Sequence, residues 1–170
     1  LECADNITTF KTVVNTVADR NGLAASFLPK PLTDHSGNAM PINISLYKDG
    51  KNLFDKNNFG NLAGSFLAGI FNRISEMTLF FNSHETSYHR FGTFKAPKYI
   101  SWSTKNLSQL LRLSWDLGES SKAQLRSPDV MCNPYLALAL LISAGIEGIE
   151  NKETLPPAVD VKVTQNYAKA

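Results

Sequence analysis

The 170-residue chain has only two cysteines, Cys3 and Cys132, and three histidines. It also lacks any apolar run of the ~18 residues a helix needs to cross a bilayer. Cysteines this few and this far apart exclude a disulfide framework and a cysteine-based metal cluster. Cys132, beside an expected helix start, reads as a buried thiol. Charge of one sign is missing too: 17 basic residues against 15 acidic ones leave a net charge of +2. That balance argues against nucleic acid or an acidic membrane as partner, so any positive patch must be local. There is no glycine-rich phosphate loop, no nucleophile elbow and no internal repeat. His84 and His89 do not stand at metal-ligand helix spacing, and His35 reads as a solvated loop histidine. With no secretory signal ahead of the fold, a reduced, cytoplasmic setting is expected. The chain opens on Leu1 rather than Met, as a piece of a longer polypeptide would.

What is present supports a real core. Hydrophobic residues make up 43% of the chain, ten of them Phe, and a chain of this size buries roughly 70% of its unfolded surface as one domain. Asp5 or Asn6 can cap a helix carrying Phe10, Val13, Val14 and Val17 at helical spacing, with Gly22 as its stop. Leu23–Leu28 reads as a short strand closed by Pro29 and Pro31, followed by a polar loop over 33–38. From Met40 to Tyr47 the pattern alternates: Met40, Ile42, Ile44 and Leu46 point one way, Pro41, Asn43, Ser45 and Tyr47 the other. Lys48-Asp49-Gly50-Lys51 is a turn.

A long helical pattern runs over 61–81, with Gly64 and Gly69 expected to allow close packing. Strands are expected near Lys98–Ser103, Gln109–Leu113 and Lys122–Arg126. On the last of these Lys122, Gln124 and Arg126 share one face, and Ala123 and Leu125 the other. A final helix starts at Pro134, a favoured first helical position, and frays near Gly148. Helices among strands with hairpin-length links imply an α+β fold, an antiparallel sheet flanked by helices. Residues 1–155 read as the domain and 156–170 as an extended tail.

Four segments carry a family resemblance. Phe10-Lys11 through Leu28-Pro29-Lys30-Pro31, Leu46 to Phe54, Asn82 to Pro97 with Ser87-Tyr88-His89-Arg90, and Lys122 to Asp129 resemble, in order and spacing, the catalytic domain of glutamine synthetase. The resemblance implies a partial catalytic domain of an enzyme that ligates ammonia to glutamate with ATP and magnesium, through a γ-glutamyl phosphate. It also implies rings of subunits, hence a homo-oligomer.

Several positions depart from the family's pattern. Pro41 and Gln124 stand where a histidine and a glutamate would bind a metal ion, with Asn43 in place of a second histidine. Lys95 replaces the mobile glutamate of the active-site flap, and Leu107 an arginine that contributes to the transferring phosphoryl group. A cation at position 95 would repel ammonium. Magnesium requires anionic oxygens in a near-octahedral shell, so the metal site is not expected to fill. Several positions for binding substrate or phosphate persist by resemblance: Gly37, Ser45, Arg90, Arg112, Lys122 and Arg126. The same cations could instead pair with Asp116, Glu119 or Asp129, and nucleotide binding is left open. Tyr88 and Trp102 read as packing residues, and Trp115 as a neighbour of any nucleotide by position alone. Exchanges at four separate sites imply that the segment is catalytically inert. The readings held beside this are a working ligase within a longer chain and an interaction module on the same scaffold.

Overall fold

The computed structural model describes residues 1–106 and 108–160. The elements run α1 (Glu2–Arg20), β1 (Ile42–Ile44), β2 (Tyr47–Lys48), β3 (Lys51–Asn52), α2 (Asn61–Phe81), α3 (Glu85–Tyr88), β4 (Trp102–Ser103), β5 (Leu111–Ser114), β6 (Lys122–Leu125) and α4 (Pro134–Glu150). A four-stranded sheet has the order β1-β6-β5-β4, and β2 and β3 form a separate hairpin. Asp49 and Gly50 turn that hairpin with φ of 50° and 74°, the left-handed pair that matches strand twist.

The α+β class stands, and the sheet is mixed. β6 pairs antiparallel with both β1 and β5, whereas β4 and β5 run parallel, with Trp102 opposite Leu111. The expected hairpin is absent there because Ser103 Oγ accepts the N–H groups of Lys105 and Asn106, both at 2.9 Å. That bond turns the chain sharply just past β4.

Alternation decides which face of the sheet is buried. Ala123, Leu125, Leu111 and Leu113 are all 0% exposed and face α2 and α4 in one core with Phe66, Ile70 and Leu141. The two helices meet backbone to backbone: a Cβ on Gly69 would stand 2.7 Å from Gly148 Cα. Gly64, by contrast, has nothing within 4 Å and takes no part in this contact. Asn133 starts α4, its Oδ1 accepting the N–H groups of Tyr135 and Leu136 at 3.0 and 3.2 Å.

Several boundaries differ from expectation. α1 begins at Glu2, ahead of Asp5 and Asn6, with no side-chain cap. Residues 23–28 form no strand; Phe27 instead packs edge-on to Phe10, with ring centroids 6.3 Å apart. The alternation over 40–47 is present in burial, but ladder pairing is confined to Ile42–Ile44, since Pro41 has no N–H to give. The Lys98–Ser103 strand contracts to its last two residues, and α4 continues past Gly148 to Glu150. The short helix α3 was not foreseen; His84 Nδ1 accepts Thr86 N–H, and Ser87 Oγ accepts His84 N–H. Residues 156–160 run beside β4, where Val159 N–H donates to Trp102 O at 2.8 Å. Residues 161–170 of the expected tail lie outside the described part of the chain.

Candidate functional site

The face of the sheet turned away from the core carries the polar candidates. Register sets Asn43, Gln124 and Arg112 in one row across β1, β6 and β5. Gln124 Nε2 donates to Asn43 Oδ1 at 3.1 Å, an amide-to-amide bond across the two strands. Lys122 lies next along β6, opposite Ser114. Arg112 is half-buried, and its Nε has no hydrogen-bond partner.

At one end of this face lies a cavity of about 100 Å³, lined by Gly37, Pro41, Arg90, Lys95 and Arg126 together with neighbouring residues. Pro41 and Gln124 project from the same face, but Gln124 is not part of this lining. Arg90 is 2% exposed. Its Nη2 donates to Asn82 Oδ1 at 3.1 Å and to Ser127 O. Burial pushes its guanidinium pKa down; Asp129 opposes this, and Arg126 adds to it. Arg126 Nη2 donates to Lys95 O at 2.8 Å, tying β6 to the turn over 93–97. Burial, then the charge of Arg112, lowers the Arg126 pKa.

Gly37 is required where it stands. A Cβ there would clash with Pro29 O and approach Arg90 Cδ to 2.9 Å. Ser45 Oγ is engaged by the scaffold, donating to Ser121 O at 3.1 Å. Leu107 lies outside the described residues. Neither Asp116 nor Glu119 forms an ion pair with Arg90, Arg112 or Lys122 among the described residues; Asp116 instead pairs weakly with Lys56 at 4.0 Å.

The aromatic candidates are packing residues. Trp102 is 8% exposed and donates Nε1–H to Pro156 O at 2.6 Å. Trp115 stands edge-on to Phe59 at 5.9 Å, and Tyr88 edge-on to Phe91 at 6.1 Å. His35 is exposed in its loop, where Lys30 Nζ donates to its carbonyl. Sequence reasoning missed two contributors, Asn82 and Phe94, and offered Asp129 only as a possible pairing partner of the cations. Asn82 orients Arg90, and Asp129, with Oδ2 buried and unpartnered, supplies the acidic charge acting on it. Phe94 adopts a φ of 52° on the flap turn with Lys30 Nζ 4.6 Å from its ring centroid. Asn82, eight residues before Arg90 in the same motif, was the one signal available for that pairing.

The donor set does not suit a divalent cation. The row offers two mutually bonded amides and a guanidinium, and no group of three or more His, Cys, Asp or Glu side chains gathers among the described residues. Hard cations take anionic oxygens, and a neighbouring guanidinium repels them.

The family model described as the glutamine synthetase catalytic domain matches residues 1–169. The chain is 43% identical over 168 residues to the glutamine synthetase of Clostridium saccharobutylicum, covering 96% of this chain and 38% of that protein. It is 44% identical over 154 residues to that of Methanosarcina mazei, covering 88% of this chain and 34% of that protein. Among solved structures it resembles a Plasmodium falciparum glutamine synthetase, with a TM-score of 0.85 and 29% identity across 97% of this chain and 33% of the other. A GmaS–ADP complex gives a TM-score of 0.81 and 30% identity, covering 93% of this chain and 38% of the other. The chain thus spans little more than a third of the curated relatives it matches. Within that span, from the Phe10 helix to the strand of Gln124 and Arg126, it belongs to the glutamine synthetase catalytic-domain family.

Proposed function

We propose that this segment is a catalytically silent form of the glutamine synthetase domain, with residues 1–155 the partial catalytic domain. The reaction of the family is ATP-dependent ligation of ammonia to glutamate. The observation that carries the reading is the Gln124–Asn43 amide pair beside Arg112, where metal-binding side chains would stand. When bound, the metal would hold the nucleotide's phosphates for transfer. The residues present here cannot hold it, so no step is routed through it. Lys95 on the flap adds a second obstacle, because an ammonium ion would meet a cation there.

Arg90, Arg112, Lys122 and Arg126 keep their family positions and support retained anion binding, with Gly37 and Ser45 on the adjoining loop and strand. Nucleotide binding would have to run through these cations. By its family the polypeptide would assemble as a homo-oligomer in the cytoplasm. No helix among the described residues is long and apolar enough to cross a membrane.

A second reading, a working ligase within a longer chain, draws on the 43% identity with an established relative over 38% of that relative's length. The remaining length could supply further carboxylates. A magnesium-ATP titration by calorimetry, run beside a glutamine-forming assay on the native polypeptide, separates the readings. Turnover near the roughly 10 s⁻¹ common among enzymes overturns the silent reading. Nucleotide binding without turnover supports it. Absence of both favours use of the scaffold as an interaction module.

A further inference from the structure

Two buried groups of opposite charge are left unfinished behind the Arg90 turn. Arg90 is 2% exposed and Asp129 0%. Nε of the first and Oδ2 of the second are both buried without a hydrogen-bond partner. The two side chains belong to one polar shell. Arg90 Nη2 donates to Asn82 Oδ1 at 3.1 Å and to Ser127 O. Asp129 follows Ser127 by two residues, and its N–H donates at 3.1 Å to the carbonyl of Phe81, the neighbour of Asn82. Asn82 Nδ2 closes the shell on Ser127 Oγ at 3.2 Å. Asp129 is the acidic group whose charge acts on Arg90, yet no direct ion pair joins the two among the described residues.

A buried guanidinium and a buried carboxylate each cost free energy when a polar atom is left unpaired, so the two orphans call for a partner. Their chemistry selects it. Nε–H can only donate, and a carboxylate Oδ2 can only accept. A metal cation would be repelled by the guanidinium and has nothing to accept the Nε proton with. An anion would meet the carboxylate, and ammonium only donates. Water does both, accepting from Nε–H and donating to Oδ2, as buried waters with two to four polar partners commonly do. The other carboxylate oxygen is already committed: Oδ1 accepts Met131 N–H at 2.9 Å, which fixes how the carboxylate is turned.

We infer that one buried water bridges Arg90 Nε–H and Asp129 Oδ2, and that through it Asp129 is the positioning residue of Arg90. The guanidinium is then gripped at two atoms, Nη2 by Asn82 and Ser127 and Nε by the water. Neither a metal nor turnover enters this bridge, so it does not rest on the silent-domain reading.

The first test needs no variant. A high-resolution crystal structure of the native polypeptide should show solvent density within roughly 2.7–3.2 Å of both Nε and Oδ2. Direct contact between the two side chains, or no density between them, overturns the inference. The second test is a double-mutant cycle read by denaturant titration. Asp129→Asn keeps the shape and the Oδ1 acceptor for Met131 but removes the charge facing Arg90. It should raise the unfolding constant by at least about tenfold in the parent, and only a few-fold in an Arg90→Gln background. Equal costs in both backgrounds would assign Asp129 a role in its own turn alone and overturn the positioning role. The structure of Asp129→Asn supplies the readout that a local role would not move: Arg90 should leave Asn82 and Ser127 while Met131 stays bonded. An unmoved Arg90 overturns the positioning role as well. None of these failures bears on the silent-domain reading, and glutamine formation would overturn that reading without touching the bridge.

Discussion

Restoring the missing donors should restore a metal site. In the double variant Pro41→His with Gln124→Glu, both new side chains leave the same face of the sheet. Gln124 stands directly opposite Asn43, and position 41 is two residues further along that edge. Diagonal neighbours of this kind lie roughly 7–8 Å apart at Cα, within reach of a long carboxylate and an imidazole. The Gln124 donor to Asn43 is lost, but the Asn43 amide can reverse and donate to the new carboxylate, so no polar group is stranded. Manganese suits a mixed imidazole–carboxylate site. Its affinity should rise by at least about tenfold over the parent, or roughly 1.4 kcal/mol. At a metal concentration near 100 times Kd the gain is about 2.7 kcal/mol. With roughly 2–4 °C of Tm per kcal/mol in a domain of this size, a thermal scan with and without manganese would differ by about 5–10 °C. Calorimetry on both single variants completes the cycle, each expected to bind more weakly than the double. A double variant no tighter than the parent would mean that the strands do not present positions 41 and 124 to a common point, and the silent reading would lose its geometric basis.

Leu125→Ala removes a side chain that is 0% exposed between sheet and helices, and should cost about 3 kcal/mol in denaturant titration. A loss under 1 kcal/mol would contradict the packing. Asn133→Ala deletes the cap that receives two N–H groups of α4, at about 1 kcal/mol by the same titration. Burial, with Asp129 adding and Lys11 opposing, pushes the Cys132 thiol up from 9.0 to about 11. Because the raised value belongs to the folded state, the unfolded thiol ionises first. Stability is therefore unaffected below about pH 9 and falls as pH rises from there toward 11. A disulfide reagent at pH 8 should label exposed Cys3 at once and Cys132 only on unfolding.

Patterns tied to a period were legible in the chain, and contacts between distant segments were not. The 3.6-residue apolar repeat over 61–81 places α2 residue for residue, because a helix closes its own hydrogen bonds. Period-two alternation set Ala123 and Leu125 on the face opposite Gln124 and split 40–47 into two faces, and in both segments the apolar face meets the core. It could not say how far the ladder extends, since that depends on partners. Residues 23–28 are apolar enough for a strand, but none of the described strands pairs with them. The parallel entry of β5 beside β4 follows a turn held by local side-chain bonds of Ser103 and Asn106, which have no periodic signature. Arg90 was legible as a cation at a site, but its burial was not, because Asn82 and Ser127 reach it from separate parts of the chain.

The metal that the site is proposed not to hold and the anion binding proposed for its cations have one physical origin. A carboxylate at position 124 would stand beside Arg112, opposite it in the ladder, and offset its charge; an amide leaves that charge in force. A carboxylate at position 95 would do the same for Arg126, whose Nη2 already holds the carbonyl of that residue; lysine adds to it instead. Both exchanges move the local potential in one direction, along strands and a turn held by the same backbone bonds. A divalent cation approaching this face is repelled by the groups that would attract a dianion, and each unit charge counts for more where water is partly excluded. Changing either residue alone should therefore shift cation and anion affinity in opposite senses. Titrating Gln124→Glu with phosphate and with manganese would expose that coupling, and movement of both affinities in the same direction would break it.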